Sequence, residues 1–220
     1  MSEILTLQRD ACKKLTYRDY VEIPDDGNRW EIIEGIFYKM ARPNTNHQLT
    51  LGSLASMFHM CLRGNKQCRV FMAPLDVRIP LYNENHPDDA INVVQPDIMI
   101  FCDRNKTDEK GGIASPDLVV EVISPSSKKQ DRQRKFQLYE RAGVKEYWIV
   151  EPVYEEVEIY RLVEGKFVKI GEYENDGEVL LPAPEIGCGE LANLRIPVAQ
   201  IFEANIRDDD FEDDESIVRI

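Results

Sequence analysis

A single acid interrupts an otherwise apolar run, Leu118-Val119-Val120-Glu121-Val122-Ile123. Runs this short, this apolar and this rich in β-branched residues belong to strands covered on both faces. An ionised carboxylate there costs several kcal/mol unless something compensates it. An earlier run of the same kind, Ile98 to Cys102, is headed by Asp97. A second carboxylate on a neighbouring strand is the wrong partner for stability. Two like charges about 4 Å apart repel by about 4 kcal/mol at an effective dielectric near 20. A divalent cation between them reverses the sign of that interaction.

The chain has 220 residues, 43% of them apolar and 30% charged. That is enough for a real core under a soluble surface, and the expectation is one domain over residues 1–204 followed by an acidic tail, 205–220. Eight acids lie between Glu203 and Ser216 against one base, Arg207, so the tail repels itself. The net charge of −13 argues against a nucleic-acid binder of the ordinary basic kind. No stretch is long enough to cross a bilayer, so no membrane partner is expected, and the N-terminus lacks the pattern of a signal peptide. Cys12, Cys61, Cys68, Cys102 and Cys188 are scattered and odd in number. They read as reduced thiols of a cytoplasmic protein.

Thr16 is placed to cap a short helix, and Pro24 to Gly27 form a turn. Segments 29–34 and 36–41 read as a hairpin around Glu34-Gly35. A helix from about His47 to Arg63 carries Leu51, Leu54, Ala55, Phe58 and Leu62 at helical spacing and stops at Gly64. Strands are expected over 70–79, which contains Asp76, and over 97–102, 118–123 and 146–151. A helix after Ser124 to Ser127 should end at Gly143. Segments 154–162 and 165–173 read as a second hairpin, and a short helix closes 194–204. The fold class is α/β (α+β): a mixed central sheet flanked by helices, core order α-β-β-β-α-β, with extra N- and C-terminal hairpins. The piece from Leu118 to Val150 should be a right-handed parallel crossover.

Phosphodiester hydrolysis needs charge neutralised on the scissile phosphate, an activated water and a stabilised leaving oxygen. Magnesium held by one or two carboxylates supplies most of this. Asp97 and Glu121 can bring their oxygens to one point, and the backbone carbonyl of Val122 is a natural third ligand. Ser124 and Ser126 lack a histidine partner, which argues against a serine hydrolase.

Asp97 in Gln95-Pro96-Asp97, followed by Glu121 in Val119-Val120-Glu121-Val122-Ile123-Ser124, resembles the split active site of the PD-(D/E)XK nuclease superfamily. More narrowly, from about Thr16 to Ala204 the chain is similar to the Uma-two family of bacterial restriction-endonuclease proteins. That similarity is carried by Trp30-Glu31-Ile32-Ile33-Glu34-Gly35, Ala73-Pro74-Leu75-Asp76-Val77 and the block Ser115 to Ser127. Asp131, Lys135, Tyr139 and the run Ala142 to Trp148 continue it. The resemblance implies a restriction-endonuclease-like fold and an Mg²⁺- or Mn²⁺-dependent endonuclease acting on DNA as a homodimer. The superfamily's Glu-X-Lys has Ile123 in its third position here, and the resemblance implies that a lysine of the following helix, Lys135, takes over. Asp131, Lys135 and Tyr139 fall on one helical face.

The expected catalytic residues are therefore Asp97, Glu121 and Lys135, with the metal on Asp97, Glu121 and the Val122 carbonyl. Glu34, His47, Asp76, Asp131 and Tyr139 are candidates to surround them. Plainer roles are available for four of the residues named: turn residue for Glu34, cap for His47, solvated face for Asp76, counter-ion of Glu121 for Lys135. Lys128, Lys129, Arg132 and Arg134 are candidates for holding a nucleic-acid backbone. Tyr147 and Trp148 are read as core or dimer contacts. The competing reading, motivated by Ile123 and the acidic surface, is a nuclease-fold protein that binds or scaffolds without catalysis. A hydrolase of another phosphate ester is a third.

Overall fold

A computed structural model describes residues 14–82, 84–124, 127–174, 180–182 and 195–207. Cys12, Ser126, Cys188 and the acids from Asp208 onward lie outside the described residues. In chain order the first elements are α1 (Tyr17–Val21), β1 (Trp30–Ile33), β2 (Ile36–Lys39), α2 (Thr45–Cys61) and β3 (Arg69–Met72). Six strands follow before the next long helix: β4 (Val77–Arg78), β5 (Val93–Val94), β6 (Ile98–Phe101), β7 (Thr107–Asp108), β8 (Gly111–Gly112) and β9 (Leu118–Val122). A π-helical segment, Gln130–Lys135, runs into α3 (Phe136–Ala142). The chain continues with β10 (Glu146–Glu151), β11 (Glu156–Val163), β12 (Lys166–Glu174), β13 (Leu180–Pro182), β14 (Arg195–Pro197) and α4 (Val198–Phe202).

One six-stranded mixed sheet has the order β12-β11-β10-β9-β6-β3. Only β9 and β10 run parallel within it, Trp148 lying opposite Val120. The helical segment 130–142 is the crossover that parallel pairing demands. Ile98, Ile100, Leu118, Val120, Trp148 and Val150 point to one face and pack on Leu51, Leu54, Ala55 and Phe58 of α2 and on Ile201 and Phe202 of α4. Met99, Phe101, Val119, Ile123, Tyr147 and Ile149 point to the other and meet Leu138 and Tyr139 of α3. Covering both faces is why these strands read as unbroken apolar runs. Gly143 ends α3 at φ 76, the left-handed position a side chain disfavours.

A second sheet, β2-β1-β5-β4-β8-β7, holds the N-terminal hairpin. Glu34 (φ 54) and Gly35 (φ 80) form its two-residue turn, both with positive φ as a type I′ turn requires. A Cβ on Gly35 would stand 2.6 Å from the Lys14 Cβ.

Two expectations are corrected. The run 70–79 is not one strand: it divides into β3 and β4, which belong to different sheets. Pro74 has no N–H to give a ladder, and the chain leaves the first sheet there. Nor are all the cysteines reduced, because Cys68 and Cys102 are disulfide-bonded. Arg69 pairs with Phe101, so the antiparallel register brings the next residues out, Cys68 and Cys102, face to face. No helix among the described residues is long and apolar enough to cross a membrane.

Candidate active site

The register of β6 against β9 pairs Ile98 with Val120, so one step further Asp97 stands opposite Glu121. Directly opposed residues share a face. It is the face covered by α3. The Asp97 carboxylate turns toward the sheet end, where its Oδ2 accepts the Val122 backbone N–H at 2.8 Å and meets His47 Nε2 at 3.2 Å. His47 comes from the first turn of α2, whose N-terminus Asn44 caps by accepting the His47 N–H at 2.8 Å. One histidine thus serves both as helix start and as partner of Asp97.

The crossover supplies the rest. Phe136 N–H bonds to the Asp131 carbonyl, a π-turn of the type that recurs at functional sites. Lys135 Nζ lies 3.0 Å from Glu121 Oε1, 2.9 Å from Glu31 Oε1 and 3.6 Å from Asp131 Oδ1. The Tyr139 hydroxyl donates to Glu121 Oε1 at 2.7 Å. Glu31, in β1, also accepts the Gln95 N–H at 2.9 Å and Gln130 Nε2 at 2.8 Å.

Four buried carboxylates (Glu31, Asp97, Glu121 and Asp131) therefore surround one lysine. Burial pushes Glu121 well above the usual carboxylate range; Lys135 opposes this, while Asp131, Asp97 and Glu31 add to it. Burial likewise raises Asp131. For Lys135 burial works against the charge, but Glu121, Glu31 and Asp131 outweigh it and hold the ammonium well above its ordinary value.

Asp97, Glu121, Val122, His47, Asp131 and Lys135 line one cleft of about 330 Å³. Other expected residues lie elsewhere. Glu34 is half-exposed at the hairpin turn, bonded to Arg141 at 2.7 Å and to the Tyr82 hydroxyl at 2.6 Å. Asp76 is outside the cleft, accepting Gln95 Nε2 at 2.8 Å, and reaches the site only through that glutamine and Glu31. The basic cluster is largely spent within the chain. Lys128 contacts both oxygens of Glu151 at 3.0 Å, Arg132 binds Glu158 and Glu151, and Arg134 covers the Tyr38 ring. Lys129 is exposed.

Besides Lys135, the basic side chains that line the cleft are Arg29, Lys39 and Arg42. These, Gln130 and Glu31 were not singled out by the sequence. Glu31 carried a usable signal, since it stands between Trp30 and Ile32 as an acid within an apolar strand, the pattern that marks Glu121.

Comparisons with known proteins bear on this arrangement. Residues 17–193 match the family model described as "Uma2: Putative restriction endonuclease". The chain is 28% identical over 149 residues to the uncharacterized protein slr1290 of Synechocystis sp. (strain ATCC 27184 / PCC 6803 / Kazusa), covering 67% of this chain and 74% of that one. Among solved structures it resembles a putative nuclease belonging to DUF820 from Anabaena variabilis ATCC 29413, with a TM-score of 0.67 and 18% identity, over 86% of this chain and 98% of the other. At that identity the likeness is one of fold, a mixed α+β nuclease fold. The family match spans most of the chain and takes in every residue of the cleft, so this protein belongs to the Uma2 family, whose description is "Putative restriction endonuclease".

Proposed function

We propose that the protein is a Mg²⁺-dependent endonuclease, also served by Mn²⁺, that hydrolyses phosphodiester bonds of DNA. Asp97 and Glu121 are its metal-holding pair. The observation that carries this reading is how each carboxylate divides its oxygens. The protein's hydrogen bonds use Oδ2 of Asp97 and Oε1 of Glu121. Among the described residues Oδ1 and Oε2 have no partner, and both acids line the same cleft. The donor set is all hard oxygen, and four acids against one lysine leave an excess of negative charge. Both suit a small dication.

Held by Asp97, Glu121 and the Val122 carbonyl, such an ion would supply charge neutralisation at the scissile phosphate and a water of lowered pKa. The chain's own groups do the positioning. The Val122 N–H and His47 fix Asp97, and Tyr139 and Lys135 fix Glu121. Lys135, held protonated, orients the attacking water and meets the negative charge that grows at the phosphorus oxygens. Residues 1–204 act as one nuclease-like domain, with 205–220 as an acidic tail. Each chain carries a full set of these groups, so one copy makes one cut. The expected homodimer would serve to cut both strands of a duplex.

Purified protein with Mg²⁺ or Mn²⁺ should nick supercoiled plasmid, and Glu121→Ala or Asp97→Asn should lower the rate by about 10³-fold or more. Undiminished nicking by Glu121→Ala removes the assignment. An intact protein that neither nicks nor shows divalent binding by calorimetry belongs to the non-catalytic reading that Ile123 motivates.

A further inference from the structure

Arg29, Lys39 and Arg42 form a basic wall of the cleft, drawn from the chain around the β1–β2 hairpin and from the loop leading to α2. They are not held alike. Lys39 and Arg42 are exposed and, among the described residues, in no salt bridge. Arg29 is half-buried and fixed, its Nε donating to Gln95 Oε1 at 2.8 Å. Its two terminal nitrogens have no partner among the described residues, and one of them, Nη2, is buried. A buried donor without an acceptor is costly, and an anion in the cleft would remove that cost. The planar pair Nη1 and Nη2 is the fork that matches two oxygens of a phosphate.

An acid is the ordinary way to hold a guanidinium, as Glu151 and Glu158 hold Arg132. Arg29 is held by a neutral amide instead, which leaves its charge for an incoming group. The direction of that amide is set from behind. Gln95 is buried, and its Nε2 donates to Asp76 Oδ1 at 2.8 Å and to the Tyr20 hydroxyl at 3.1 Å. An ionised carboxylate accepts and cannot donate, so Asp76 keeps Nε2 on its own side and turns Oε1 toward Arg29. The Tyr20 hydroxyl donates to Asp76 at 3.4 Å and closes the group. Arg29 stands two residues before Glu31, and Gln95 two before Asp97, so both halves of the bond belong to segments that carry site acids.

We propose that Arg29 grips the phosphate being cut, and that Asp76 and Tyr20 are positioning residues that hold its guanidinium through Gln95. This rests on the nuclease reading and adds to it the residue that recognises the scissile phosphate. A donor fixed before the substrate arrives acts mainly on charge that develops in the transition state, so its effect falls on kcat more than on KM.

The test is plasmid nicking in Mn²⁺ over a range of DNA concentration, with folding checked by urea unfolding. Arg29→Ala should lower kcat about 10²-fold and change KM by less than about fivefold. Arg29→Met, which keeps the stem and removes the charge, takes its place if Arg29→Ala does not fold. Asp76→Asn, free to present either its amide or its oxygen to Gln95, should lower kcat about tenfold. Combined with the arginine variant it should lower kcat no further, since Asp76 acts only through Arg29. Losses that multiply overturn the relay, and a parental kcat in the arginine variant overturns the whole inference. A parent that nicks in neither Mg²⁺ nor Mn²⁺ defeats the nuclease reading, and binding of duplex DNA in Ca²⁺ then judges Arg29 by itself. A slope of log K against log salt reduced by about 0.9 in the arginine variant supports the phosphate contact. An unchanged slope, or no binding by the parent, overturns it.

Discussion

Lys135 is the residue on which the site's charge balance turns. Three carboxylates lie within 3.6 Å of its ammonium, all of them buried. Removing one partner from a buried ionic group leaves uncompensated charge and typically costs about 3–5 kcal/mol. Lys135→Met should therefore lose both nicking and stability, the second read by urea unfolding. Its deficit should depend on pH. Glu121 and Asp131 already have raised folded values, so their contribution is complete below the ordinary carboxylate range and is lost as pH rises. The variant should be weakest near pH 7 and recover toward pH 4–5; an equal deficit at both ends would show that the lysine acts through packing alone.

Glu146 offers the same logic away from the site. Burial raises it to about 7, against the opposing hydrogen bonds of Trp148 and Arg161. The stability it lends is full below its unfolded value near 4.5 and is lost as pH climbs through about 7. Glu146→Gln, which mimics the protonated form, should gain on the parent between pH 5 and pH 8, by up to about 3 kcal/mol. A constant difference across that range would refute the assignment. Among single residues, Glu121 was legible because an acid in an apolar run has to be explained. Glu31 gave the same signal in a shorter run and was passed over for Glu34, whose positive-φ turn sends it to Arg141 instead.

At the scale of elements, the β1–β2 hairpin carries more of the site than its length suggests, bringing Glu31 to Lys135 and Arg29 and Lys39 to the cleft wall. Its turn is a point of control. Gly35→Ala meets both a positive φ and a Cβ contact at 2.6 Å, whereas Gly64→Ala meets a positive φ (+85) and open space. Gly64→Ala should cost about 1–2 kcal/mol and leave nicking alone. Gly35→Ala should cost more and also depress nicking, though it touches no acid. Equal effects on activity would disconnect the hairpin from the site. Strands β9 and β10 were readable because burial on both faces writes one continuous signal. The break at Pro74 was not, since a change of sheet leaves the local apolar pattern intact. The helix beyond β9 was readable as a face carrying Asp131, Lys135 and Tyr139. Its neighbouring bases looked like a phosphate grip only because Glu151 and Glu158, which neutralise two of them, come from strands some twenty residues later.

For the whole molecule, the basic wall sits inside a protein of net charge −13. An approaching polyanion first meets repulsion from the exterior, and attraction only within reach of Arg29, Lys39 and Arg42. Screening weakens the distant field first, because the Debye length falls from about 30 Å at 0.01 M to about 10 Å at 0.1 M. The encounter should thus quicken as salt is first added and slow again once the close contacts are screened too. Stopped-flow mixing with a labelled oligonucleotide would register a maximum in the association rate at intermediate ionic strength. A steady decline would mean that incoming DNA never senses the acidic exterior. Such a maximum would let the cell's ionic conditions, and not affinity alone, decide how often this protein engages DNA.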